Sequence, residues 1–349
     1  MSGSRVRRSV KKAVGPKVGF FGILCSGNLG NDGSLEAVVQ GLKQRRPDAR
    51  LEFLCMGPEE ATARYGAPAT ARISGTKVAL VSVGANVSRQ RLIRWLHTAA
   101  ARMAYYRTYR DAASFRAMRR MGVDVASDAI YPDLVFALDA PPVPSRPTGC
   151  VGVGLMEYRG DNNERARSAE LHLNYVATMK QFVRWLADSG RTVRLFTGDR
   201  QDEAVLAEIM QCVGPRSPPR VLVEPAATLG DLMRQMATAD IVVGTRYHNV
   251  LCGLRLAKPT LSVGYATKHH ELMAGVGLGE FSLDARHTGF GVLVERFTEL
   301  ERRSDEIEEH LVERNRAYAA QLDDQFAHLF ASLFGAHPRR TDNDQSEDR

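Results

Sequence analysis

The chain has 349 residues, 44% of them hydrophobic and 25% charged, which suits a globular protein with room for two cores. Its longest uncharged apolar runs, residues 18–25 and 78–83, are strand-length and too short to span a bilayer. The formal charge of +7 invites a nucleic-acid partner, but Arg5, Arg7, Arg8, Lys11, Lys12 and Lys17 supply most of the excess, so none is expected.

Residues 1–16 read as a basic, disordered tail without the apolar core of a secretory signal. A cytoplasmic location is expected, with the tail able to touch an anionic membrane at its inner face. Cys25, Cys55, Cys150, Cys212 and Cys252 are scattered and mostly sit in apolar runs, so they read as reduced core residues. Residues 18–24 then predict a strand, 26–33 a glycine-rich turn, 34–44 a helix and 51–56 a second strand, which is a β-α-β start. A further strand is expected at 77–84, followed by one long Arg- and Ala-rich helical region over about 89–120. Four prolines within residues 139–149 forbid a helix or central strand there, so that segment is taken as the linker between domains at 17–138 and 150–290.

The second half alternates again. Strands are expected at 150–155, 192–197, 220–223, 241–244 and 260–263, with helices near 169–189, 201–213 and 229–237 between them. Helical periodicity resumes over 292–334, so residues 291–335 are expected to pack back across the base of an interdomain cleft. Residues 336–349 read as a disordered tail.

The most informative segment follows the 241–244 strand. Arg246 and His248 stand two apart in the turn at its carboxyl end, where open α/β sheets bind ligands, and Asn249 is a plausible cap for the next helix. Tyr265-Ala266-Thr267-Lys268 follows the next strand and brings a second cation to the same edge. His269 and His270 read as loop residues without metal-ligand spacing. In the first half, Gly27, Gly30 and Gly33 allow close backbone approach to a ligand, and Asn28, Asn31 and Asp32 offer polar groups beside them. Arg110 and Asp111, with Ser114 one turn later, are placed at a helix head near the cleft.

These motifs, in this order, resemble the polysaccharide pyruvyl transferase family: Gly27-Asn28-Leu29-Gly30-Asn31, Arg110-Asp111-Ala112-Ala113-Ser114, Tyr131-Pro132-Asp133, Gly244-Thr245-Arg246-Tyr247-His248-Asn249 and Gly264-Tyr265-Ala266-Thr267-Lys268. The resemblance implies an α/β fold of two Rossmann-like domains in a GT-B-like arrangement, and transfer of pyruvate from phosphoenolpyruvate to a sugar as a ketal. Phosphoenolpyruvate is then a co-substrate, with no cofactor or metal expected. The acceptor is a saccharide or lipid-linked saccharide. On that reading Arg246 grips the donor bidentately, Lys268, Tyr247 and Asn249 complete the donor side, and His248 is the acid. Asp32 or Asp199 is the base, and Gly27, Asn28, Gly30, Asn31 and Arg110 line the acceptor side. Members carry an extra β-α unit for which only residues 57–76 remain here, so a smaller first sheet and weakened transfer are expected. The alternatives are a GT-B glycosyltransferase using a nucleotide sugar, with Glu224 on the ribose, and a binding relic without turnover.

Overall fold

The computed structural model describes residues 15–21, 28–54, 77–88, 90–160, 164–214 and 220–335. Gly27, both tails up to residue 14 and from 336, and the 57–76 segment therefore lie outside the described residues.

The second half is built on one parallel sheet. Its strands are β6 (Cys150–Gly154), β7 (Thr192–Phe196), β8 (Val221–Val223), β9 (Ile241–Gly244), β10 (Thr260–Gly264) and β11 (Ser282–Asp284). They lie in the order β11-β10-β9-β6-β7-β8. Chain direction across the sheet reverses between β6 and β9, which opens a crevice at their carboxyl ends. Helices cover the strands because their sequences carry apolar stripes. α4 (Ser168–Asp188) buries Leu171, Tyr175, Val176, Met179, Phe182, Val183 and Leu186 at helical spacing. α6 (Leu229–Ala237) begins with a reciprocal capping box between Thr228 and Asp231. The remaining helices of this half are α5 (Glu203–Val213), α7 (Tyr247–Arg255) and α8 (Thr267–Gly275). Residues 139–149 hold neither helix nor strand.

In the first half, β1 (Lys17–Phe21) pairs in parallel with β2 (Arg50–Leu54), and α1 (Leu29–Arg45) connects them. A second group, β3 (Ala79–Val83), β4 (Tyr106–Tyr109) and β5 (Ala129–Ile130), is also parallel. Between them run α2 (Arg91–Met103) and α3 (Ala112–Arg120). The helix expected over 89–120 is therefore interrupted by β4. Aromatic and β-branched residues dominate that stretch, and Asp128 fixes it by accepting from the Arg107 guanidinium and the Tyr109 hydroxyl.

The C-terminal helices α9 (Phe290–Arg302) and α10 (Ser304–Phe334) pack back onto both halves. Near the end of α10, buried Gln325 donates to the Ser82 and Thr108 hydroxyls at 2.9 and 2.8 Å. Ser82 holds a left-handed φ of 46°, and the β3–β4 register shifts there. That irregularity turns the chain so that Gly84, Ala85 and Asn86 face the cleft.

Three further expectations are corrected at the helix starts. α1 begins at Leu29, so Gly30, Asn31, Asp32 and Gly33 belong to its first turns rather than to a loop, and Asn28 is the cap. α7 begins at Tyr247 with Arg246, not Asn249, at the cap position. His269 and His270 lie in α8, and His269 is buried.

Candidate functional site

Arg246 sits at the crevice between β6 and β9. Its guanidinium meets the Asp202 carboxylate with both arms, the Nε–Oδ2 contact being 3.0 Å. Asp202 is fully buried and also accepts the backbone N–H of Glu157 at 2.8 Å. The bidentate grip expected for a donor anion is thus held by an internal carboxylate, because a buried guanidinium without one would be costly. Beside it the Thr245 hydroxyl donates to the Gly154 carbonyl at 2.9 Å and ties β9 to β6. Asn249 is fully buried against Gly154 and Gly198, and its amide atoms find no hydrogen-bond partner among the described residues. It lies within the packed switch point, not on the cleft surface.

The next residue outward, Tyr247, carries two cations. The Arg110 guanidinium lies 4.3 Å and the Lys268 ammonium 5.1 Å from its ring centre. Arg110 contacts Asp133 at 3.2 Å and Asp111 at 3.5 Å. It approaches so closely because residue 84 is glycine: a Cβ there would stand 2.6 Å from Arg110 Nη2. Lys268 makes no ion pair among the described residues. Burial, with Arg110 and Arg246 nearby, pushes its ammonium from 10.5 down to about 8. Arg110, Tyr247 and Lys268 therefore bring the two halves together.

His248 faces the first half. A Cβ at residue 30 would stand 1.9 Å from its Nδ1, so glycine is what lets the start of α1 close onto the imidazole. Burial lowers its pKa to about 4, Arg110 and Lys268 push the same way, and Asp133 opposes them. The ring is accordingly neutral near pH 7, which corrects the expectation of a ready acid. Asn28 Nδ2 lies 3.3 Å from Asp199 Oδ2, and the Leu29 N–H points to the Gly198 carbonyl. The loop after β7 thus meets the head of α1. Asp32 is buried in the first turn of α1, while Asn31 is partly exposed.

Two clefts flank the cation pair. The larger, about 780 Å³, runs from Gly84–Asn86 and Arg110–Ser114 to Tyr265–His270 and Arg286. The smaller, about 400 Å³, shares Arg110, Asp111 and Lys268 and adds Tyr131, Asp133 and Tyr247. α7 and α8 both start without a side-chain cap. Lys268 and Arg110 line both clefts, and the larger also reaches the uncapped head of α8.

Sequence reasoning missed Asp202 as the partner of Arg246. The Asp199-Arg200-Gln201-Asp202 spacing reads only as a helix cap, and the pairing spans 44 positions. Asp133 was visible only as part of Tyr131-Pro132-Asp133. The structure gives it the start of a 3-10 turn, where its carboxylate accepts from Val135 N–H and holds Arg110.

A search of curated protein sequences finds no match. Among solved structures, S. aureus MnaA bound to UDP aligns with a TM-score of 0.62 at 9% identity, over 92% of this chain and 97% of that one. A putative UDP-N-acetylglucosamine 2-epimerase from Listeria monocytogenes gives 0.60 at 13% identity, over 93% and 98%. Anabaena HepE in complex with UDP and glucose gives 0.56 at 11% identity, over 90% and 99%. At such identities the likeness is one of fold, the GT-B-like arrangement of two α/β halves. The family model for polysaccharide pyruvyl transferases matches residues 28–267, which include the Asn28 cap, Arg110, Asp133, Arg246 and His248 and end just before Lys268. With more than half of its length matched, the chain belongs to the polysaccharide pyruvyl transferase family.

Proposed function

We propose that the protein moves the pyruvyl group of phosphoenolpyruvate onto two neighbouring hydroxyls of a polysaccharide or lipid-linked saccharide, forming a cyclic ketal and releasing phosphate. The observation that carries this reading is the Lys268 ammonium, half-buried beside Arg110 and without an ion pair of its own among the described residues. A small, highly charged donor with a carboxylate and a phosphate supplies the missing counter-charge.

The neutral state of His248 suits a proton shuttle. The imidazole takes the proton of the first sugar hydroxyl as that oxygen attacks the central donor carbon. In the same step the ring passes a proton to the terminal methylene carbon, so that the C=C pair ends in the new C–H bond, no carbanion forms, and that carbon becomes the methyl group. The second hydroxyl attacks next, the carbon–phosphate oxygen bond breaks, and the departing phosphate carries away the second proton. Atoms and charge balance without a metal or redox step. Arg246 acts by position: locked on Asp202, it fixes the turn that presents Tyr247 and His248. Asn28 and Asp199 act by position too: they join the head of α1 to the loop after β7, and so hold Gly30 against the His248 ring. The test is saccharide-dependent release of phosphate from phosphoenolpyruvate, abolished in His248→Ala.

The rival is glycosyl transfer from a nucleotide sugar, the ligand class seen in the structural neighbours. Glu224, the carboxylate that would hold the ribose, is paired with Arg194 at 3.0 Å. Both line a separate cavity that shares no residue with the two clefts. That arrangement favours the phosphoenolpyruvate reading. Turnover of a nucleotide sugar would reverse it.

A further inference from the structure

Helix α2 has its apolar face turned the wrong way for a soluble protein. Leu92, Trp95, Leu96 and Met103 fall on one stripe, and they are 68, 62, 50 and 77% exposed. The residues α2 buries are instead the small Thr98 and Ala101. Tyr105 and Val78 extend the patch beyond one end of the helix, and Val87 extends it beyond the other. An exposed stripe of this size, with a tryptophan in it, marks an interaction surface.

The charge around it identifies the partner. No Asp or Glu occurs between Glu60 and Asp111, while Arg91 and Arg102 border the stripe at helical spacing and Lys77 lies over the Tyr105 ring. None of these three makes an ion pair among the described residues; Lys77 donates only to the Ser332 and Leu333 carbonyls and Arg102 to that of Gly122. A second copy of the chain docked on this face would set arginine against arginine with no carboxylate from the segment to relieve it. An anionic lipid surface supplies both an apolar layer for the stripe and phosphates for the cations. No described helix is long and apolar enough to cross a membrane, so this contact lies in the interface plane.

We infer that α2 docks the protein on an anionic membrane surface, with Leu92, Trp95, Leu96 and Met103 inserted among the lipids and the flanking arginines on their headgroups. Residues 84–88 join α2 directly to the carboxyl end of β3, and Gly84, Ala85 and Asn86 of that link line the larger cleft. Docking therefore brings the cleft rim to the lipid surface, where a lipid-linked saccharide presents its sugars. The docking itself does not depend on which group is transferred.

Vesicle flotation of the full chain tests this, comparing phosphatidylcholine alone with phosphatidylcholine containing about one-third phosphatidylglycerol. The wild type should float only with the anionic vesicles. Trp95→Glu with Leu96→Glu, and separately Arg91→Glu with Arg102→Glu, should each weaken binding at least about tenfold, with unchanged circular dichroism and melting. Replacing Arg5, Arg7 and Arg8 by Gln should weaken binding without abolishing it, because the tail adds charge but no insertion. The chain has two tryptophans, and Trp185 packs between Phe182 and Phe297. In a Trp185→Phe background, Trp95 emission should therefore shift to the blue on adding anionic vesicles. The inference is overturned if the helix variants bind like wild type, if the tail substitutions alone abolish binding, or if sedimentation shows a dimer that Trp95→Glu with Leu96→Glu converts to monomer.

Discussion

Replacing Lys268 by Met should stabilise the fold and remove donor binding in the same step. The ammonium falls from 10.5 to about 8 because it is half-buried beside Arg110 and Arg246, a difference of about 3 kcal/mol. The folded pKa lies below the unfolded one, so the unfolded chain holds this proton more tightly. The full penalty therefore acts near pH 7, shrinks as pH rises through about 8, and is gone above 10.5. Urea denaturation should find Lys268→Met more stable than wild type by about 2–3 kcal/mol near neutrality, with the gap closing by about pH 10. Phosphoenolpyruvate at roughly a hundred times its Kd should stabilise the wild type by about 2.7 kcal/mol and leave the variant unmoved. A variant that is less stable than wild type at neutral pH, or one that phosphoenolpyruvate still stabilises fully, would refute the assignment of Lys268 as a half-buried cation, only partly offset by Asp133 and Asp111, that awaits an anion.

The pH profile of kcat/KM should be a plateau, falling below about 4 as His248 gains a proton and above about 8 as Lys268 loses one; a single inflection near 6.5, the ordinary histidine value, would contradict the neutral imidazole. His248→Ala should cut turnover by about two to four orders of magnitude while calorimetric donor affinity stays nearly constant. Gly30→Ala puts a methyl 1.9 Å from His248 Nδ1 and should cost about a hundredfold in turnover, since misplacing a reacting group by an ångström has that effect; normal turnover would show that the ring is free to move. Asp202→Asn leaves the Arg246 guanidinium short of its counter-charge and should destabilise by about 3–5 kcal/mol in denaturant titrations, more than an exposed ion pair is worth.

Local pattern made much of the second half legible before any coordinates. The apolar run Ile241-Val242-Val243-Gly244 and the stripe of Leu229, Leu232, Met233 and Met236 gave β9 and α6 at their observed bounds. The failures came where tertiary contacts outweighed local preference. β4 lies inside an Arg- and Ala-rich stretch and exists because Val78 and Asp128, both distant in sequence, supply its partners. α1 begins among glycines that disfavour a helix interior, because Asn28 caps it and His248 and the loop after β7 pack on its first turn. In the site, Arg110, assigned from sequence to the acceptor side, meets Tyr247 and Lys268, assigned to the donor side. Their roles were less legible, since the choice of Asp202 as the partner of Arg246 is a long-range pairing that no spacing encodes.

The most direct measurement is a single-turnover experiment in which phosphoenolpyruvate and a UDP-sugar compete, in the presence of saccharides bearing neighbouring free hydroxyls, with phosphorus NMR following both donors. The account predicts that phosphoenolpyruvate disappears, inorganic phosphate appears in equal amount, one pyruvyl ketal forms per phosphate released, and the UDP-sugar is untouched. Release of UDP with phosphoenolpyruvate left intact would contradict it.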